Sequence, residues 1–463
     1  MVRTLAVVGG GVIGLSVAWR AAESGWRVTL YDPAVGSGAS WVAGGMLAPL
    51  SEGWPGEDAA LEFGAASLTR WPDFAARLQS VTGAEVFTAA ETLTVALDTA
   101  DAADLRTIAD WVNAKLAGLA ESGPGATPAV AASTAAQPGG DSAVGGARPI
   151  VSGGADAPRD ATGTSRTTVE AAASAARAAS GSGGDRSEGV RRPSGSAAAA
   201  EQRADSDAAA QSANPGADRA LRLLDRAGVR AAEPGLDRRV RAGLLSPAEP
   251  AVDNRALVTA LREACAGAGV EVRAEEVAAL RELPQERVVL ATGASARLWP
   301  ELPVRPVKGE ILRLRRRPSA PPPPSRVVRA RVHGRPIYLV PRPDGIVLGA
   351  TQYEAGFDTV VTVGGVRDLI TDAEAIFPGV GEYEFAEATA GSRPGTPDNL
   401  PLLGYLDERV IAALGHGRNG ILGVPVTVDA VLALLADSEL PEARAASPTR
   451  FRVPEPHFAG GKQ

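Results

Sequence analysis

Gly9-x-Gly11-x-x-Gly14 constrains this chain more than any other feature, because of what flanks it. Before it runs TLAVV (4–8), an unbroken apolar stretch of strand length. After it, apolar residues recur at helical spacing through Ala22, and Gly25 closes the helix. RVTLY (27–31) then reads as a second strand ending at Asp32–Pro33. Strand, glycine turn, helix and strand make the opening of a parallel α/β sheet. Glycines are needed where a backbone turns tightly and approaches a pyrophosphate, and the free N–H groups at the helix start favour its charge. Asp32 stands where a carboxylate accepts both ribose hydroxyls. A ribose phosphate would meet that charge, so FAD or NAD is expected rather than NADP. Alone, the glycine pattern is a weak signal that packing could also explain; the strand, helix and acid in register give it force.

A second glycine segment separates the two cofactors. Gly415-His416-Gly417-Arg418-Asn419-Gly420 leads into an apolar helix with Pro425 in its first turn. A helix start there suits negative charge on a reduced isoalloxazine, and an NAD enzyme has no evident need of it. An NAD-dependent dehydrogenase therefore remains only as an alternative permitted by the N-terminal unit.

Composition narrows the classes further. With 47 basic and 54 acidic residues the net charge is −7, which offers no electrostatic pull toward nucleic acid or an anionic membrane. Cys265 is the sole cysteine and only His333, His416 and His457 occur, so neither an internal disulfide nor a cysteine or histidine metal cluster is expected. The apolar run Leu5–Trp19 is too short to span a bilayer, and three consecutive glycines inside it argue against a signal peptide. A soluble cytoplasmic protein is expected.

Gly (53) and Pro (35) make nearly a fifth of the chain and aromatic residues only 4%, so the globular part is expected to be shorter than the whole. Residues 120–217 contain no Leu, Phe, Trp, Tyr or Met. Such a stretch cannot bury enough apolar surface to offset the entropy of ordering, so a disordered insertion is expected. Beyond it, Asp253–Asn254 reads as a helix cap, 287–290 as a buried strand, 310–315, 335–341 and 345–349 as antiparallel strands, and 364–377 as a helix. Pro318–Ser325 reads as a hairpin tip or linker, and AGSRPGTPDN (390–399) as a loop.

The segments GGGVIG, GASWVAGGMLAP, VRPVKGEILRL, IYLVPRPDGIVLGATQYE, AGSRPGTPDNLPLLG and GHGRNGIL together resemble the glycine oxidases of thiamine biosynthesis, in the D-amino acid oxidase group of flavoproteins. The likeness covers nearly all of the chain except the insertion and the last twenty or so residues. It implies an α/β fold with a discontinuous FAD-binding Rossmann-like domain (1–85, 249–302 and 390–440). An antiparallel-sheet substrate domain (86–119, 218–248 and 303–389) completes the D-amino acid oxidase-like fold, with a flexible tail at 441–463. It implies FAD as cofactor, a small amino acid and dioxygen as substrates, thiazole synthase as a partner and a homotetramer.

The same resemblance assigns residues. Gly9, Gly11, Gly14 and Asp32 would hold the adenosine diphosphate part of FAD, with Val277 and Gly293 near the adenine and pyrophosphate. Ser40, Ala43, Gly44 and Met46 would line the flavin, Met46 on the substrate side. Gly417, Arg418, Asn419, Gly420 and Ile421 would sit at its pyrimidine edge. Arg393 would bind the substrate carboxylate beside Tyr338. Physics favours the arginine, since a planar fork matches a planar carboxylate.

Other residues receive plainer readings. His416 is expected to be a loop hydrogen-bonder and no general base, Cys265 a buried small residue, and Arg313 with 315–317 a solvated strand end. Lys308 is left open between a structural role and a place near the flavin. Gly423 and Gln352 depart from the family pattern, which puts the helix start and the substrate range in question. Beside the NAD-dependent dehydrogenase, two alternatives remain: another FAD-dependent amine or D-amino acid oxidase or dehydrogenase, and a non-catalytic flavoprotein scaffold.

Overall fold

Leu5, Ala6 and Val7 are fully buried, as a strand covered on both faces requires. In the computed structural model, which describes residues 2–121 and 219–451, they lie on β1 (Thr4–Val8) at the heart of a six-stranded sheet. β1 pairs in parallel with β2 (Arg27–Tyr31) and β9 (Arg287–Leu290). Outside these lie β8 (Glu271–Arg273) on β2, and β16 (Val410–Leu414) on β9, both parallel. β15 (Leu402–Tyr405) closes the far edge antiparallel. The helix Val12–Glu23 packs between helices Asn254–Gly267 and Val424–Leu435. The Asp253 carboxylate caps the helix Asn254–Gly267 by accepting the N–H groups of Arg255 and Ala256, as expected from sequence. Cys265 is buried on its inner face.

An eight-stranded sheet forms the other half. Its order runs β14 (Glu384–Gly395), β10 (Arg305–Arg315), β13 (Gly345–Gly349), β12 (Arg335–Arg342) and β11 (Val327–Val332). It continues through β4 (Thr92–Ala96) and β6 (Ala242–Ser246) to β5 (Arg222–Asp225). Every pair is antiparallel except β4 with β11. β3 (Phe87–Ala89) and β7 (Ala251–Val252) form a small ladder of their own.

Three expectations need correction. AGSRPG is the end of the long edge strand β14, because β10 templates it residue by residue, with Val307 opposite Arg393 and Pro306 opposite Pro394. Pro394 is tolerated because β14 is an edge strand. Second, the proline-rich Pro318–Ser325 is a linker and no hairpin tip, since β10 and β11 are not neighbours. Third, the tail does not loosen at 441. Pro441–Ala446 and Pro448–Phe451 form 3-10 turns, Ala446 is fully buried, and Arg450 pairs with Asp398 at 2.7 Å. Order therefore extends to 451.

The insertion expected at 120–217 lies outside the described residues apart from its first two positions, where the helix Thr99–Glu121 ends. Near that end the Asn113 amide grips Leu221 twice. Its Nδ2 donates to the Leu221 carbonyl at 3.0 Å and its Oδ1 accepts the Leu221 N–H at 2.8 Å. The two flanks of the segment are thus fastened to each other.

Candidate active site

The glycine turn is shaped by close approach. Gly9 has φ +109°, and a Cβ there would lie 2.3 Å from the Ala291 carbonyl oxygen on the neighbouring strand's end. Gly14 lets the helix press onto the turn: its Cβ would fall 1.8 Å from the Gly9 oxygen. The helix begins after Gly11, which has no side chain to cap it; the Ser40 hydroxyl accepts the Val12 N–H at 3.0 Å, and no acid stands in the first turn. The Asp32 carboxylate accepts the N–H groups of Gly10 (2.6 Å) and Ala34 (2.7 Å), one per oxygen, leaving lone pairs on both. Gly9, Gly11 and Asp32 line a cavity of about 1030 Å³ that continues past Ser40, Ala43, Gly44 and Met46. Val277, Gly293 and Gly417 through Ile421 line it as well. Gly14 alone among the expected site residues stands behind the wall, as a packing glycine.

At the other end the cavity meets the second sheet. The Tyr338 ring on β12 lies across Gly44 and Gly349, with atoms 2.8 and 2.2 Å from where a Cβ would stand. On β10, Gly309 has the Arg393 guanidinium in the space of its missing side chain, 2.2 Å from the Cβ position. Arg393 Nη1 donates to the Thr351 carbonyl at 3.3 Å. Burial raises the Tyr338 phenol, against the lowering pull of Arg393 and Arg342, so it stays protonated and a donor at neutral pH. A fixed guanidinium and a neutral phenol facing one cavity form a donor set for a carboxylate.

Comparison with known proteins identifies the family. The family model for FAD dependent oxidoreductases, DAO, matches residues 4–182 and 135–433. The chain belongs to that family. It is 36% identical over 248 residues to the bifunctional protein ThiO/ThiG of Synechocystis sp., covering 49% of this chain and 37% of that one. It is 38% identical over 150 residues to the glycine oxidase of Geobacillus kaustophilus, covering 31% and 38%. The matched stretches thus span little more than a third of these relatives. The crystal structure of the G. kaustophilus glycine oxidase superposes with a TM-score of 0.69 at 24% identity, over 97% of this chain and 100% of that one. The chain is thus similar to glycine oxidases in sequence over these stretches and in fold throughout.

FAD fits the residues present in this DAO family member. A helix N-terminus with no acid in its first turn, a carboxylate with spare lone pairs and a glycine-lined wall open on one cavity at the upper end of the usual small-molecule range. The loop that would face the flavin is tied down from behind. Asn254 Nδ2 donates to the carbonyls of Ser40 and Trp41, each at 2.9 Å, and buried Arg342 donates to the Gly44 carbonyl at 2.8 Å. Arg342 does not stand out in the sequence, and Asn254 does so only as part of a helix cap. Arg313, expected in solvent, instead turns its Nη2 to Asn254 Oδ1 at 2.9 Å.

The cluster beside Arg393 in this DAO site also went unnoticed in the sequence. Glu52 pairs with Arg329 at 2.8 Å and with Arg418 at 2.6 Å. Burial pushes its carboxyl up, but Arg329, Arg418 and Arg393 outweigh this and hold it below the usual range. Arg418 thus lines the cavity as expected, with its Nε already committed to Glu52. Behind them, Glu249 accepts the N–H groups of Leu50 and Ser51, and its full burial raises it to about 7. Lys308 is structural: its ammonium, 2% exposed, binds Asp358 at 2.7 Å and the Val360 carbonyl at 2.5 Å. Gln352 lines the cavity and is otherwise exposed.

His416 shares a hydrogen bond of 2.8 Å with Thr427 Oγ1, so it ties the glycine loop to the helix that follows. Burial lowers its imidazole from 6.5 to about 3. The folded state thus favours the neutral ring. That stability is fully present above pH 6.5 and is lost as pH falls from 6.5 toward 3. The His416→Gln variant is expected to lose about 2 kcal/mol less than the parent between pH 6.5 and pH 5, measured by urea unfolding at the two pH values. Equal losses in the two proteins would show that the ring is not held neutral.

Proposed function

We propose that this enzyme oxidises glycine, and small N-alkyl or D-amino acids, to the imine. The imine hydrolyses to glyoxylate and ammonia, with dioxygen reduced to hydrogen peroxide. The observation that carries this is Arg393 and Tyr338 converging on the cavity that the dinucleotide glycine loop opens. Glycine, dioxygen and water balance glyoxylate, ammonia and hydrogen peroxide. When bound, FAD supplies the acceptor for the two electrons and the hydrogen leaving the α-carbon, and returns the electrons to dioxygen.

The chain's own residues have the remaining work. Arg393 grips the substrate carboxylate in its fork and the Tyr338 hydroxyl donates to the same group, while Met46 walls the substrate side. Gly9, Gly11, Gly14 and Asp32 serve the adenosine diphosphate portion, Val277 and Gly293 the adenine and pyrophosphate. Ser40, Ala43 and Gly44 serve the flavin, and Gly417 through Ile421 its pyrimidine edge. No side-chain base is required. Glu52 is held ionised by two guanidiniums and so has little appetite for a proton, and His416 is committed to Thr427. Rate enhancement then rests on orientation, and the amine must arrive neutral.

In this reading residues 1–85, 249–302 and 390–440 form the cofactor domain, and 86–119, 218–248 and 303–389 the substrate domain, with β14 carrying Arg393 across that boundary. The two-in-one name of the Synechocystis relative supports delivery of the imine to thiazole synthase. A homotetramer in the cytoplasm accompanies the same reading; among the described residues no helix is long and apolar enough to cross a membrane.

A visible spectrum of the purified flavoprotein without oxygen, before and after glycine, tests the proposal. Bleaching of the flavin band followed by peroxide on admitting air is the expected result. A band left intact by glycine, sarcosine and D-alanine would discard the substrate class while leaving the family untouched.

A further inference from the structure

An arginine on an edge strand is not aimed by its backbone alone, because its long side chain carries roughly 2 kcal/mol of rotamer entropy. Arg393 is steadied by the Thr351 carbonyl, and the backbone at Thr351 is fixed to a degree its place outside any strand does not require. The Thr351 N–H donates to the Glu310 carbonyl at 3.2 Å, and the Glu310 N–H donates to Thr351 Oγ1 at 2.8 Å. That hydroxyl in turn donates to Glu310 Oε2 at 3.2 Å. The other carboxylate oxygen, Oε1, accepts the Thr362 N–H at 2.8 Å and has the Lys308 ammonium 3.7 Å away. Glu310 is completely buried.

The triplet Lys308-Gly309-Glu310 on β10 therefore divides three tasks. Gly309 yields its space to the guanidinium. Glu310 locks the residue whose carbonyl that guanidinium touches. Lys308 tethers the same segment further along, at Asp358 and Val360. A bidentate ion pair tolerates about 0.5 Å of misplacement, so a carbonyl free to drift would be felt as weaker carboxylate binding.

We propose that Glu310, acting through the Thr351 hydroxyl, is the positioning residue that aims Arg393 at the substrate carboxylate. This rests on Arg393 being the carboxylate anchor. Acetate serves as the probe, being a carboxylate without an amine, titrated into the holoenzyme and followed by the flavin spectrum alongside steady-state kinetics with glycine. Thr351→Val keeps the side-chain shape and removes the hydroxyl. It is expected to raise the acetate dissociation constant and the KM together by about five- to twentyfold, more than it lowers kcat. Thr351→Ser returns the hydroxyl and is expected to restore both to within about threefold of the parent.

Parental acetate affinity in Thr351→Val would overturn the proposal. So would a serine variant as weak as the valine one, since the methyl and not the hydroxyl would then matter. If the valine variant does not fold, Thr351→Ala against Thr351→Ser makes the same comparison. Arg393→Ala is run in parallel. Acetate binding lost there but intact in Thr351→Val removes only the positioning role, whereas acetate binding intact in Arg393→Ala removes the anchor and this inference with it.

Discussion

Arg393→Ala is expected to cut kcat/KM for glycine by about a hundred- to several-thousandfold while the protein stays yellow. The size follows from what is left behind. A carboxylate brought into an enclosed cavity without its partner forfeits about 3–5 kcal/mol. The loss should fall mostly on KM, because the guanidinium grips the carboxylate before and during reaction. Arg393→Lys should recover part of it, since an ammonium restores charge without the planar fork. Cofactor retention is expected because Arg393 reaches the cavity from β14, in the second sheet, with the glycine loop on the first. Peroxide release against glycine concentration, with the flavin absorbance of each preparation, checks both halves. A variant with parental kinetics would end the carboxylate assignment.

Gly14→Ala is expected to abolish flavin retention outright. The added methyl would stand 1.8 Å from a backbone oxygen, far inside contact distance, and neither the turn nor the helix can give way cheaply. Gly14 is buried, and the helix behind it is locked between two others. Moving the helix start displaces Gly11 and the N–H groups that face the cavity. Gly267→Ala is the natural control. It sits at a helix end with no atom within 4 Å of the new methyl, and should leave the flavin in place. The ratio of flavin to protein absorbance after gel filtration decides the matter. A yellow Gly14→Ala protein would mean that the turn opens more readily than its contacts imply.

Sequence patterns that repeat over neighbouring residues were the legible ones. The glycine turn, its flanking strands and the Asp253 cap were all readable because their partners lie close along the chain or obey a short period. The family motif singles out Arg393 as the expected carboxylate ligand, yet its strand is not legible, since Gly391, Pro394 and Gly395 signal a turn locally. Only pairing with β10 overrides them. The ion pairs at the site were illegible for a related reason. Glu52 meets Arg329 and Arg418 from far along the chain, and no spacing rule joins them. The role of Lys308 is illegible because Asp358 and Val360 reach it only after the three intervening strands β11, β12 and β13. Arg313 looked solvated within a basic run, although its place on β10, between β14 and β13, turns it toward Asn254.

The Asn113–Leu221 clasp has a consequence for how this chain can vary. It fastens the helix after β4 to the strand that returns as β5, so the sheet's edge is complete whatever joins them. Closing a loop costs free energy only with the logarithm of its length, about 0.6 kcal/mol per doubling. This chain can therefore take a change of length at that join, or a grafted module there, at small cost to the sheet. The same seam is where an engineer would cut the chain to attach cargo, since a splice between the clasped ends interrupts no ladder in either sheet.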